Sequence, residues 1–160
     1  MAPIPRLYGG RVNDPARSPE RRKRDTLARL ENDIDVWVSS AADDVPYLVP
    51  LSFRWDGETV LISTPAASPT GRNLQRTRQT RIALGATRDV VLIEGTVDVL
   101  SATELADGEG DAFAEKAGFD PRSLKTRYLY FRIRPRLIQA WREVNELADR
   151  DLVRDGAWLV

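Results

Sequence analysis

The chain has 160 residues, 42% of them hydrophobic and 30% charged, with 24 Lys and Arg balanced by 24 Asp and Glu. That describes a soluble globular domain able to bury about two thirds of its unfolded surface, with no wholesale attraction to nucleic acid or membrane. Cysteine and histidine are both absent, which excludes disulfides, thiol nucleophiles, Fe–S clusters, a Ser-His-Asp triad and a typical zinc site. Chemistry at neutral pH therefore falls to carboxylates, Lys, Tyr or Arg, or to a bound cofactor. No apolar run approaches the roughly 20 residues that span a bilayer. The N-terminal MAPIPRLYGG has no apolar signal core, so a cytoplasmic location is expected.

Residues 1–17 are proline-rich, contain Gly9-Gly10 and lack periodicity; they read as an extended arm before one domain over 18–160. Ser18-Pro19-Glu20 then opens a helix, with Ser18 as cap, Pro19 at the first helical position and Glu20 favouring the dipole. Its core face is predicted to be Leu27 and Leu30, supported by Ala28. The run Arg21-Arg22-Lys23-Arg24 is read as a solvated face. From Ile34 the period changes to two, and Ile34, Val36 and Val38 alternate with Asp35, Trp37 and Ser39 as in a half-buried strand. A turn over Ala42 to Asp44 leads to a second strand, Tyr47 to Trp55. Pro50 within it lacks a donor and belongs at an edge or bulge. Asp56-Gly57 is a tight-turn signal before a third strand, Thr59 to Ser63.

The stretch from Thr59 to Arg88 carries Arg72, Arg76, Arg78, Arg81 and Arg88 and no acidic residue. Within it, the hydroxyls of Ser63, Thr64, Ser68 and Thr70 precede a short helix, about Thr70 to Thr77, that begins beside Arg72. Unpaired N–H groups at a helix start, the helix dipole and a guanidinium together suit a phosphate. The alternative is a solvated helix whose arginines simply face water. Strands follow over Arg81 to Ala86 and Val90 to Leu100, the second with Gly95 marking a bulge or a close approach. An acidic helical segment, Ala102 to Ala117, is divided at Gly108 or Gly110 and stopped at Gly118. Two further strand segments, Tyr128 to Arg134 and Leu137 to Trp141, hinge at Pro135. Asp155-Gly156 turns Leu152-Val153 against Trp158-Leu159. Strands joined by tight turns, with helices inserted rather than alternating, predict a mainly β protein: a six- to seven-stranded antiparallel barrel with peripheral helices.

The order of strand, Asp56-Gly57 turn, strand, Thr64-to-Asn73 loop, helix and Arg81-Ile82 strand, and later Pro135 with Ala140-Trp141, resembles the pyridoxamine 5'-phosphate oxidase-like split barrels. These form a superfamily of flavin and deazaflavin oxidoreductases, and the resemblance covers roughly Leu27 to Val160. It implies a homodimeric split β-barrel with two equivalent cofactor sites at the dimer interface. The implied cofactor is FMN or a deazaflavin coenzyme of the F-420 type. By the same resemblance, Ser63, Thr64, Ser68, Thr70, Arg72 and Asn73 hold the cofactor's phosphate, while Val49, Pro50, Leu51 and Ser52 flank its ring. Trp141 and Arg150 reach the cofactor from the other subunit. The implied activity is hydride transfer between the ring and an unidentified small molecule, with no protein nucleophile; the alternative is a flavin carrier or sensor without turnover. Nucleic acid is not an expected partner, because few aromatics interleave the arginines.

Two departures from the oxidase pattern stand out. The oxidases carry an arginine and a histidine for the substrate phosphate where this chain has Glu146 and Ala148, so vitamin B6 oxidation is not expected. Gly71 takes the place of a second basic residue in the phosphate loop.

Overall fold

The computed structural model describes residues 14–160; most of the predicted arm, residues 1–13, lies outside the described residues. Helix α1 (Pro19–Asn32) starts as its sequence dictates, with the Ser18 hydroxyl accepting from the Arg21 N–H and Pro19 in the first turn. It buries Arg22, Thr26 and Leu30, packs Leu27 partly against the core, and leaves Ala28 exposed. Arg22 thus departs from the solvated face expected of its basic run. Its guanidinium is buried and donates to the backbone carbonyl of Asp149.

Strand β1 (Asp35–Ala42) buries Val36, Val38 and Ser40, while Ile34 falls before the strand and is exposed. Strand β2 (Val45–Trp55) carries Pro50 in its interior without losing a ladder bond. The Phe53 N–H donates to Ile34 on the β1 side, so alternation turns Pro50 towards the opposite edge. That edge is open, because β3 (Val60–Pro65) pairs with β2 only over Phe53 to Trp55. The turn between them is held by the Asp56 carboxylate, which accepts from the N–H groups of Glu58 and Thr59 and from the Thr59 hydroxyl. These bonds outweigh the effect of burial and keep Asp56 below the usual carboxylate range.

Next come α2 (Pro69–Thr77), β4 (Gln79–Ala86), β5 (Asp89–Leu100), α3 (Glu109–Ala117), β6 (Tyr128–Trp141), β7 (Asp151–Arg154) and β8 (Ala157–Trp158). The acidic segment is divided at Gly108, which caps α3 with positive φ. The eight strands form one sheet in the order β3-β2-β1-β4-β5-β6-β7-β8. Its first strand also pairs with β6, from Val60↔Ile133 to Pro65↔Tyr128. Strands β1 to β6 therefore close an antiparallel barrel of six strands, and β7–β8 extend it. This is the predicted class.

The barrel interior is filled by Val38, Phe53, Ile62, Ile82, Ile93 and Phe131 among others, and Leu74 of α2 closes it. A second cluster, Leu61, Phe113 and Tyr130, seats α3 outside the barrel, with the Phe113 and Tyr130 rings edge to face at 5.5 Å. Strand β6 runs unbroken for 14 residues where the sequence suggests a hinge. A bulge absorbs Pro135: Glu94 pairs with Leu137 and Gly95 with Pro135, leaving Arg136 unmatched. Gly95 is required opposite it, since a Cβ there would lie 2.5 Å from the Arg134 carbonyl oxygen.

Phe53, Trp55 and Tyr130 are used in the core of this chain. Part of the apolar surface left outside lies on β1 and β2. Trp37 is 51% exposed and Leu48 60% exposed, and the β1–β2 register sets Trp37 opposite Pro50 and Leu48 opposite Ser39, all on one face. Among the described residues, no helix is long and apolar enough to cross a membrane.

Candidate functional site

Beyond Phe53 and Ile62 strands β2 and β3 part, and the gap opens a cleft of about 300 Å³. Pro50, Leu51 and Ser52 form one wall and Ser63, Thr64 and Pro65 the other. Asp35 enters because the β1–β2 register sets it opposite Ser52, whose hydroxyl donates to its carboxylate at 2.8 Å. Tyr128 enters because it pairs with Pro65. Gly118 ends α3 in the left-handed region and the chain turns, bringing Phe119 to Tyr128 with ring centroids 6.3 Å apart. The Ser63 hydroxyl is committed to the Leu129 carbonyl at 2.9 Å, whereas that of Thr64 lies 3.2 Å from the Ser68 hydroxyl.

Ser68 connects this cleft to α2. Its hydroxyl accepts from the Gly71 N–H at 2.9 Å and its carbonyl from the Arg72 N–H. Pro69 has no N–H, so much of the anion-binding capacity of the helix start is already met by Ser68. Arg72 is exposed, and its guanidinium donates to the Ala67 carbonyl at 2.9 Å. Thr70 is buried, and its hydroxyl has no hydrogen-bond partner among the described residues. Asn73 turns inward to the Ser40 hydroxyl at 3.1 Å. Gly71 has a steric cause: a Cβ there would stand 2.2 Å from the Pro65 carbonyl oxygen. No second basic side chain fits at this position while the loop keeps this course.

Among the predicted site residues, Pro50, Leu51, Ser52, Ser63 and Thr64 come together in the cleft, with Ser68 and Arg72 in the adjoining loop. Val49 is half-buried against the core. Trp141 and Arg150 lie apart from it, at the opposite end of β6 from Tyr128, with the Arg150 guanidinium 5.3 Å from the centre of the Trp141 ring.

Glu146 does not face a substrate phosphate. It is buried, and Arg17 grips its carboxylate through Nε at 3.0 Å, Nη2 at 2.8 Å and the backbone N–H at 2.9 Å. The Arg142 N–H adds a fourth bond. Burial alone would push Glu146 up; these bonds overcome it and hold the group down at about 2.

The arginines of the one-sign stretch are likewise engaged in three dimensions: Arg76 with Asp43, Arg81 with Glu94 and Arg88 with Glu143. Sequence reasoning missed Asp35, Phe119 and Tyr128 as lining residues. The one readable signal was Phe119, an aromatic placed directly after the helix-stopping Gly118.

A closed six-stranded antiparallel barrel, opened at one end where two neighbouring strands part, defines a split-barrel protein. Comparison with known families places it further: a family model described as pyridoxamine 5'-phosphate oxidase matches residues 24–142. The chain belongs to the pyridoxamine 5'-phosphate oxidase family. Solved structures share the fold at low identity. General Stress Protein 26 from Bacillus anthracis superposes with a TM-score of 0.59 at 15% identity, covering 74% of this chain and 92% of that one. An F420 reductase gives 0.57 at 16%, covering 69% and 93%. A conserved hypothetical protein from Mycobacterium tuberculosis gives 0.62 at 17%, covering 77% and 86%. No curated protein sequence matches significantly.

Proposed function

We propose that this protein is an oxidoreductase that uses FMN or the deazaflavin coenzyme F420 to reduce or oxidise a small molecule other than pyridoxamine phosphate. The observation that carries the reading is the cleft itself, which unites Pro50 to Ser52 with Ser63 and Thr64 and runs into the Ser68–Arg72 helix start. The residues present fit such a cofactor. The wall at Pro50 and Leu51 suits a flat ring, and the hydroxyl of Thr64, which lines the cleft 3.2 Å from that of Ser68, is a polar group placed to meet a phosphate. Ser68 and Arg72 would hold the phosphate beside it. When bound, the cofactor's ring supplies hydride chemistry that this chain, without Cys or His, does not need to supply itself. The chain's own part is to seat the ring, exclude water from one of its faces and orient the substrate.

The apolar face of Trp37, Leu48 and Pro50 supports pairing of two copies, which the family resemblance requires for a complete site. The deciding experiment is titration of the purified protein with FMN and with F420, followed by quenching of cofactor fluorescence. One of the two should bind in the micromolar range or tighter, near one per chain. Binding of neither would overturn the proposal.

A further inference from the structure

Resting on the reading that the cofactor's ring lies against Pro50–Ser52, we infer that the cleft selects a cationic, ring-bearing substrate and rejects anionic ones. Asp35 is the single charged residue lining the cleft among its described residues. The group is oriented rather than neutralised. Ser52 fixes one carboxylate oxygen with a 2.8 Å hydrogen bond, and no Lys or Arg nitrogen lies within ion-pair distance of Asp35 among the described residues. That contrasts with Asp25, Asp33, Asp43, Asp89 and Asp98, each of which has an arginine partner.

The rest of the lining points the same way. Phe119 and Tyr128 stand at the cleft with their rings inclined at 63°, and aromatic faces attract cations and planar rings. The Ser63 hydroxyl donates to Leu129, so it is not offered to an anion. A carboxylate substrate would meet Asp35 in a cleft that no Lys or Arg lines among the described residues, which is a repulsive element of the kind that creates specificity. An ammonium would gain the same carboxylate as a partner. Phosphate recognition belongs to the neighbouring Ser68–Arg72 loop, which meets the cleft at the Thr64–Ser68 hydroxyl contact, so the two charge preferences rest on different residues.

The test uses two probes of one shape and opposite charge, benzylamine and benzoate, titrated by calorimetry into the cofactor-loaded protein. Benzylamine should bind at least 10-fold more tightly than benzoate. Asp35→Asn keeps the size of the side chain and an oxygen for Ser52, and should erase that preference in protein loaded with FMN or F420. Equal binding of the two probes to wild type, or a preference that survives Asp35→Asn, would overturn the inference while leaving the cofactor reading in place. Failure of both cofactors to bind would instead remove the reading on which it stands.

Discussion

At the scale of single residues, the strongest statement in the structure is made by a carboxylate that does no chemistry. Glu146 and Arg17 form a buried pair joined to Asp25, Asp89, Arg29 and Arg142, with three arginines facing three acids. Removing one member leaves the other charged in a place that water does not reach. Arg17→Met or Glu146→Gln should therefore cost about 3–5 kcal/mol in denaturant unfolding, whereas Arg17→Met with Glu146→Leu should come closer to wild type. The pH dependence has a definite sign. Glu146 sits at about 2 when folded against an ordinary value of 4.5, and Asp89 is also lowered because hydrogen bonds from Arg142 and Arg29 outweigh its burial. Groups depressed by folding add stability that is complete above their unfolded values and disappears as acid protonates them. Thermal stability should hold down to about pH 4.5 and fall between there and about pH 2, more steeply than in Glu146→Gln. Arg72 is a milder case. It is exposed, so Arg72→Ala should weaken FMN or F420 binding by about fivefold, equivalent to about 1 kcal/mol. Arg88→Ala, already paired with Glu143, serves as the control and should change nothing in the same titration.

At the scale of elements, the local signals were legible where the cause is local. Ser18-Pro19 caps its helix as predicted and Asp56-Gly57 makes its turn, while Ser68-Pro69, read only as part of the phosphate loop, caps α2 in the same way. The alternation of Val36 and Val38 found the core face of β1, though Ile34 lies outside it. The readings that failed depended on partners distant in sequence. Arg22 is buried because the carbonyl of Asp149 lies above it, and Glu146 is structural because Arg17 reaches it from the other end of the chain. Pro135 looked like a hinge because the bulge that accommodates it depends on Gly95 of the neighbouring strand. In the candidate site the two walls were readable, but Asp35 was not: it alternates outward, and only the parting of β2 from β3 makes that outward face a lining. The steric reading of Gly71 can be tested directly. Gly71→Ala must push the helix start away from the Pro65 carbonyl, and the resulting strain should lower stability by about 1–3 kcal/mol in denaturant unfolding and weaken cofactor binding with it.

At the scale of the whole molecule, the exposed Trp37–Leu48–Pro50 face predicts self-association, to be read by light scattering at micromolar concentration. Leu48→Glu should shift the protein to monomer while leaving its circular dichroism unchanged, since Leu48 takes no part in the core. A wild type that stays monomeric would remove that expectation. Strand β6 has a different consequence, one that concerns how the chain reaches this state. It pairs with β3, β5 and β7, and the β3 ladder joins partners as remote as Val60 and Ile133. Until Tyr128–Trp141 has been synthesised, β3 has no neighbour along that side and β5 lacks its own second partner. Closing so long a loop costs entropy before any contact rewards it, so refolding should run in milliseconds to seconds rather than faster. A nascent or proteolysed chain that stops short of β6 would expose two unpaired edges, which is the condition for edge-to-edge aggregation. In stopped-flow experiments, truncating Phe131 or Ile133 should slow refolding, whereas truncating Val153 of β7 should mainly speed unfolding.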